Sequence, residues 1–375
     1  MDAGERRCLI ALSLTPGLGP VRIAGLMRAF GSAREAWGAP AEALGSVGGI
    51  GTRVAALIAS GRGAVDVDRV LRRADAAGAR VLTWLDDGYP PAWRDLRDAP
   101  PVVYVRGRWP GGAGPAVAVV GTRRATPYGL GVAGSLGESL GASGAVVVSG
   151  LARGIDGAAH AGALRAGGVT VGVLAGGVDV VYPPEHRSLM EAMQARGALV
   201  SEAPMGAHPD RRQFARRNRL ISGLARAVIV VEGDLDSGAL ITARYARAQG
   251  RPVFAVPGNV YAGPSRGPHR LLAEGAGVIP APAEAPRVLG LPAPAQPALD
   301  AAPRAPASVR ARVLVALGDE VVHIDDVAAR SGLGAAQVAA ALAVLEIDGL
   351  VQRAAGQRFA RTGPGRSGHF EPGGV

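Results

Sequence analysis

Six short apolar runs, most of them rich in valine, alternate with longer stretches of helical pattern through the middle of the chain. Runs in which nearly every position is apolar are typical of strands that helices cover on both faces of a sheet. Strands and helices that alternate in this way predict an α/β fold with a doubly wound, Rossmann-like parallel sheet over residues 111–280. The predicted strands are 117–121, 145–150, 170–176, 198–202, 227–232 and 252–258, and the predicted helices are 128–141, 155–166, 184–196 and 238–249.

The segment before this block, residues 1–110, has a mostly helical pattern. Two Gly-x-Gly turns, Gly17–Leu18–Gly19 and Gly49–Ile50–Gly51, each lead into an amphipathic stretch. This pairing predicts a domain of helix-hairpin-helix or SAM-like type, whose turn amides can meet a phosphate at a helix N-terminus. Small helical modules of this kind serve equally often for packing or for protein contact, so the pattern leaves both roles open.

The segment after the block begins with a Pro- and Ala-rich linker at 281–307, with eight prolines between residues 280 and 306. Residues 308–365 then show a helix, a Gly-Leu-Gly turn, a second helix over 335–347 and a β-like return, which predicts a winged helix. The second helix is almost entirely apolar or small and has no arginine. Helices that read bases carry basic or amide side chains, so a winged helix that contacts protein is favoured.

Charge and cysteine content narrow the partners. The chain of 375 residues has a net charge of +10, and all 41 of its basic residues are arginine. This surplus favours a polyanion, first nucleic acid and then an anionic membrane, and arginine offers bidentate phosphate contacts that lysine does not. Cys8 is the only cysteine, and no apolar run reaches the ~18 residues of a membrane span. We expect a soluble cytoplasmic protein without a disulfide, a metal site, a cofactor or a membrane partner.

The densest cationic segment runs from Arg211 to Arg219, RRQFARRNR, and follows the fourth predicted strand. Five arginines around one phenylalanine are suited to hold phosphates and to stack a base. A solvated charged run is the alternative, but Phe214 and the pair Leu220–Ile221 tie the segment to a core.

Glycine-rich turns follow the first three predicted strands. The carboxyl ends of parallel strands meet at one edge of a sheet, so these turns and the arginine cluster predict an anion-binding edge. None of them is a GxGxxG or Walker A sequence, so neither a dinucleotide nor a nucleoside triphosphate is indicated. The turn residues are Gly121, Thr122, Arg123 and Arg124 after the first strand, Ser149, Gly150, Arg153 and Gly154 after the second, and Gly176 and Gly177 after the third.

Two groups of side chains are candidates for catalysis. Asp156 and His160 lie four residues apart on one predicted helix, as an acid–base pair would, but a capping Asp and a surface His explain them better. Glu232, Asp234 and Asp236 follow the fifth strand, where they offer Mg²⁺ ligands or ordinary helix caps. No catalytic residue is predicted.

The chain resembles the DprA/Smf family of DNA-processing proteins through six motifs: VAVVGTRRATPYG, VVSGLARGIDGAAH, YPPEH, FARRNRLISGL, SGALITARYA and RPVFAVPGN. The resemblance implies a homodimer that binds and protects incoming single-stranded DNA and loads the RecA recombinase on it in natural transformation, without catalysis. The DNA-binding residues it implies are Gly121, Thr122, Arg123, Ser149, Gly150, Arg153, Phe214, Arg216, Arg217, Asn218 and Arg219, and the glycine-rich turns add Arg124, Gly154, Gly176 and Gly177 to the predicted DNA-binding residues.

Three positions depart from the family pattern: Ala215 replaces a common proline and is expected to loosen the loop, His186 replaces an asparagine, and Ala239 replaces a serine. None removes a charge. A nucleotide-processing hydrolase that acts on nucleoside monophosphates with Glu232 is the alternative function, and a transcription regulator that uses the winged helix is a third. The apolar stretch 239–256 fits either a dimer face or the interior of the domain.

Overall fold

The computed structural model describes residues 2–109, 111, 114–292, 307–318, 320–348, 350–354 and 356–361. The chain divides into two compact units, Met1–Ala295 and Gln296–Val375. Among the described residues no single helix has the length and apolarity to cross a membrane, and one bent pair, Ile324–Ser331 with Ala335–Glu346, meets that test only when its two helices are taken together.

The first unit begins with helices, as predicted. Both Gly-x-Gly turns lead into helices, and Gly17 and Gly49 have φ near +85°, a conformation that glycine adopts without strain. Leu9, Leu26 and Ile58 are fully buried in the core that these helices share. The helices are α1 (Ala3–Leu14), α2 (Pro20–Phe30), α3 (Ala33–Gly38), α4 (Ala41–Gly45), α5 (Gly51–Gly61) and α6 (Val67–Ala76).

A nine-stranded sheet follows in the order β1-β2-β6-β5-β4-β3-β7-β8-β9. Its strands are β1 (Ala79–Thr83), β2 (Val102–Gly107), β3 (Ala116–Val120), β4 (Val146–Ser149), β5 (Thr170–Val173), β6 (Ala198–Ser201), β7 (Ala227–Val230), β8 (Val253–Ala255) and β9 (Gly277–Val278). The strands from β3 to β9 pair in parallel, which confirms the doubly wound sheet. The short antiparallel strands β1 and β2, which the helical pattern of residues 1–110 did not predict, extend its edge.

Helices cover both faces of this sheet. They are α7 (Pro91–Arg94), α8 (Pro127–Ala142), α9 (Ile155–Arg165), α10 (Arg187–Arg196), α11 (Arg211–Leu224), α12 (Gly238–Ala248), α13 (Arg266–Ala273) and α14 (Ala285–Val288). Side chains from α11, α12 and α13 share one core with the strands, and side chains from α8, α9 and α14 share the other. The four helices expected between the strands are confirmed, and α11 is an additional one.

Two sequence stretches lie in the interior of this unit. Ala243, Ala246 and Val253, in the apolar stretch 239–256, are buried against the sheet, so these side chains are not available for self-contact. The first part of the predicted linker is folded within this unit, since Ala285 and Leu289 are buried against α8. Residues 293–306 of that linker lie outside the described residues.

The second unit is a winged helix, as expected. It consists of α15 (Ala307–Leu317), β10 (Val322–His323), α16 (Ile324–Ser331), α17 (Ala335–Ile347), β11 (Val351–Ala354) and β12 (Arg358–Arg361), with the strands in the antiparallel order β10-β12-β11. Helix α17 has the predicted bounds. Its exposed positions carry mostly alanine, together with Gln337 and Glu346.

Candidate functional site

A cleft opens at the carboxyl edge of the sheet, between β3 and β7. From β3 the chain continues to β4 on one side, and from β7 it continues to β8 on the other side. Such a switch point is where open α/β sheets bind ligands, because the loops that follow the two strands diverge. The cleft has a volume of about 570 Å³ and is lined by the loop after β3, by one face of α11 and by the loop that leads into α12.

The loop after β3 is rigid and presents two arginines. A Cβ at Gly121 would lie 2.9 Å from the Glu232 carbonyl and would collide with Ile155, so only glycine fits. The Thr122 amide donates to that same carbonyl (2.7 Å), and the Arg124 amide donates to Thr122 Oγ1 (3.2 Å). This loop therefore places the exposed side chains of Arg123 and Arg124 at the wall of the cleft.

The arginine cluster is a helix, so the prediction of a loop was wrong. Asp210 and Gln213 form a capping box: each side chain accepts a hydrogen bond of 2.8 Å from the backbone amide of the other. Arginine and alanine favour helix, and Ala215 keeps the backbone donor that a proline would lack. Residues 211, 214, 215 and 218 share one helical face and line the cleft.

Arg217 is a buried structural cation. Its side chain is almost completely covered, and Nη1 donates to the carbonyls of Gly150 (2.7 Å) and Val173. Burial lowers the pKa of Arg217 to about 10, although the nearby Asp156 carboxylate opposes that shift. Burial also raises the pKa of Asp156, which accepts hydrogen bonds from the amides of Gly150 (3.1 Å) and Ala152 (3.4 Å). Arg217 therefore ties α11 to the ends of β4 and β5.

Phe214 stands at the cleft with cationic and aromatic neighbours. The guanidinium of Arg123 lies 4.1 Å from the centre of its ring, and the Tyr182 ring lies 5.5 Å away at 49°. Arg123 therefore already stacks on the ring that was predicted to stack a base.

Other predicted site residues lie away from the cleft. Arg216 and Arg219 project from another side of α11 and share the carboxylate of Glu202, at 3.0 and 2.5 Å, and Arg219 also pairs with Asp98 (3.0 Å). Exposed Arg153 pairs with Glu185, and this contact lowers the pKa of Glu185 to about 2.

Several predicted polar and glycine residues have structural contacts. Ser149 Oγ donates to the Val119 carbonyl (2.6 Å), and Asn218, which does line the cleft, donates from Nδ2 to the Gly238 carbonyl (3.1 Å). At Gly154, Gly176 and Gly177 an added Cβ would crowd neighbouring backbone. These glycines let loops pass close to one another.

The side chains considered for catalysis form contacts that stabilise the fold. Glu232 accepts from the Thr126 amide (2.9 Å) and from Thr126 Oγ1 (2.5 Å), which fixes the N-terminus of α8. His160, expected at the surface, is fully buried: its Nδ1 lies 2.6 Å from Thr170 Oγ1, and burial lowers its pKa to about 3. No group of three or more His, Cys, Asp or Glu side chains within the described residues is arranged to hold a metal.

Three exposed arginines of the cleft have no carboxylate partner within the part of the chain that the structure describes. Among the described residues, Arg123, Arg124 and Arg211 form no ion pair, whereas Asp234, on the opposite wall, is paired with Arg266. Arg211 belongs to the cationic segment but was not among the predicted site residues. Its spacing of three and seven residues from Phe214 and Asn218 is the signal that would have found it, once the segment is treated as a helix.

Two family models match the chain. One, described as DNA recombination-mediator protein A, covers residues 80–287, and the other, described as the DprA winged helix domain, covers residues 294–357. Protein Smf of Synechocystis sp. is 34% identical over 397 residues, which cover 96% of this chain and 100% of that relative. The putative DNA processing protein DprA of Mycobacterium tuberculosis is 40% identical over 324 residues, 82% of each chain.

Two solved structures share this architecture. DNA processing protein A of Streptococcus pneumoniae matches with a TM-score of 0.66 at 32% identity, over 74% of this chain and 95% of that chain. DNA processing protein A of Helicobacter pylori, described for its single-stranded DNA binding mode, matches with a TM-score of 0.52 at 30% identity, over 56% of this chain and 95% of that chain.

Proposed function

This chain belongs to the DprA/Smf family of DNA-processing proteins, and from that premise we propose that it binds single-stranded DNA in the cleft at the switch point. The observation that carries the proposal is the set of exposed arginines without carboxylate partners, Arg123, Arg124 and Arg211, around one cleft. A relative of known structure is described for its single-stranded DNA binding mode, which supports the same ligand class. Because backbone phosphates are common to all sequences, binding has little sequence preference.

Phosphate contacts by these arginines predict a steep dependence on salt. Each contact contributes roughly 0.7 to the negative slope of log affinity against log salt on single strands. The double variant Arg123→Ala/Arg211→Ala is expected to bind a fluorescent oligothymidylate about tenfold more weakly or worse, with a slope smaller by roughly 1.4. Fluorescence anisotropy over a series of salt concentrations measures both quantities.

Arg226 provides a matched control for that experiment. It is exposed, forms no ion pair within the described part of the chain, and immediately precedes β7, at the opposite edge of the sheet from the cleft. Arg226→Ala removes the same charge and should leave affinity almost unchanged. Equal losses in both variants would mean that net charge, and not the cleft, binds the strand.

The same proposal assigns no catalysis to the cleft. The carboxylate of Glu232, which the hydrolase alternative requires, is used by Thr126, and Asp156 is used by backbone amides. Incubation with nucleoside monophosphates is expected to release no free base. If the unchanged protein released free base and the Glu232→Gln variant did not, the hydrolase would become the better supported function. The alanine-rich exposed face of α17 does not favour a regulator that reads duplex DNA.

We further propose, from family membership, that the protein acts in the cytoplasm as a homodimer, protects incoming strands and loads the RecA recombinase on them in natural transformation. The winged helix then contacts protein.

A further inference from the structure

A second groove lies on another side of α11, between this helix and the first Gly-x-Gly turn. Its volume is about 480 Å³. Gly17, Gly19 and Arg22 line one wall, and Arg216 and Arg219 line the other. Both walls belong to the first unit of the chain.

The N-terminus of α2 opens into this groove without a cap. Gly19 occupies the N-cap position with φ −94° and ψ 171° and has no side chain to accept from the first-turn amides. Those amides have no partner inside the helix, and they carry the positive end of the helix dipole. The Arg22 side chain folds back to donate from Nη1 to the Gly17 carbonyl (2.6 Å), which holds a guanidinium beside the same turn.

An incompletely bonded buried arginine lies on the opposite wall. The side chain of Arg219 is only 3% exposed, and its Nε and Nη2 are used by Asp98 and Glu202, but its Nη1 has no hydrogen-bond partner within the described residues. A buried guanidinium donor without a partner is costly, and a water molecule or an ion that it binds is one explanation for its presence. Arg22, Arg216 and Arg219 outnumber the two carboxylates, which leaves the groove with one excess positive charge.

We propose that this groove is a second anion subsite, which takes a backbone phosphate of the same DNA strand several nucleotides away from the cleft. The inference rests on the proposed function, because the strand must first occupy the cleft. The cleft lies along the face of α11 that carries Phe214 and Asn218, and the groove lies on the side that carries Arg216 and Arg219. A helix with its side chains is about 10–12 Å across, so a strand that passes over α11 reaches both.

The test uses the full chain and oligothymidylates of about 4 and about 16 nucleotides, the range of single-strand sites per domain. The decisive variant is Gly19→Asp. An Asp at this extended N-cap position has free space for its side chain and caps α2, which stabilises the helix, while it places a negative charge where the phosphate would bind. We expect unchanged affinity for the short strand and about fivefold to tenfold weaker binding of the long strand, with a salt slope smaller by roughly 0.7.

Arg22→Ala should give the same pattern, and Arg53→Ala is its control, because Arg53 is an exposed arginine in the first turn of α5, after the second Gly-x-Gly turn. A long strand that binds Gly19→Asp and Arg22→Ala like the unchanged protein would overturn the subsite while leaving the cleft intact. Equal losses on both lengths would overturn it too, because the groove would then act through the cleft. If the unchanged protein bound neither the short nor the long strand, the proposed function and the subsite would both be overturned.

Discussion

Arginine has three different roles within one helix of this protein. Arg211 is exposed at the cleft, Arg217 is buried beneath it, and Arg219 is buried on another side against carboxylates. Successive positions on a helix are rotated by about 100°, so adjacent residues face different surroundings although their chemistry is the same. A guanidinium stays charged when it is buried, so its burial is costly unless carbonyls and a carboxylate compensate the charge, as the Gly150 and Val173 carbonyls and Asp156 do for Arg217.

Arg217→Ala is therefore expected to act on stability. It removes three hydrogen bonds, to Gly150, Val173 and Asn218, and leaves the Asp156 carboxyl buried without its cation, a loss of about 3–5 kcal/mol of unfolding free energy. Arg216→Ala, which breaks a half-exposed ion pair, should cost less than about 1 kcal/mol. Urea unfolding followed by tryptophan fluorescence measures both changes. A stable Arg217→Ala protein with reduced DNA binding would instead identify Arg217 as a direct phosphate ligand.

At the scale of elements, the sequence predicts the parallel strands and the helices between them, because continuous valine runs and helical spacing are local patterns. It does not predict α11, since the density of charge in RRQFARRNR conceals a helical face of Arg211, Phe214 and Asn218. It also misses β1 and β2, whose strand character depends on pairing: β1 pairs with β2, and β2 pairs with β6, which lies about a hundred residues further along the chain. The glycine turns were located correctly, but close approach between loops explains Gly154 and Gly176, and that contact is not local either.

The capping box of α11 gives a prediction for this element. Asp210→Ala removes the side-chain acceptor of the Gln213 amide, whereas the backbone amide of residue 210 can still donate to the Gln213 side chain. The change is expected to cost about 1 kcal/mol and to fray the turn that carries Arg211 and Phe214. Simple electrostatics predicts stronger DNA binding, because a negative charge near the cleft is lost. If the cap positions Arg211, binding becomes weaker instead. Anisotropy with oligothymidylate distinguishes the two signs, and Asp210→Ser, which keeps an N-cap acceptor without the charge, should bind at least as tightly as the original protein.

The two units of the chain carry different kinds of surface. The first unit carries the cleft with its unpaired arginines, whereas α17 of the winged helix presents mostly alanine where base-reading helices present basic or amide groups. We therefore expect single-strand binding in the first unit and protein contacts from the winged helix. Composition predicts this division, because the arginine cluster and the arginine-free helix are both visible in the sequence.

Dimerisation would convert a short binding site into one able to hold a long strand. One cleft contacts few phosphates, but two linked clefts engage the same strand at a high effective concentration, so a dimer gains affinity without any new contact. Light scattering is expected to give about twice the mass of the chain, and RecA assembly on strands coated with single-strand-binding protein should accelerate when this protein is added. The Arg123→Ala/Arg211→Ala variant should still dimerise but should not accelerate assembly. A strictly monomeric protein without acceleration at any ratio would leave a DNA-binding protein that has no loading role.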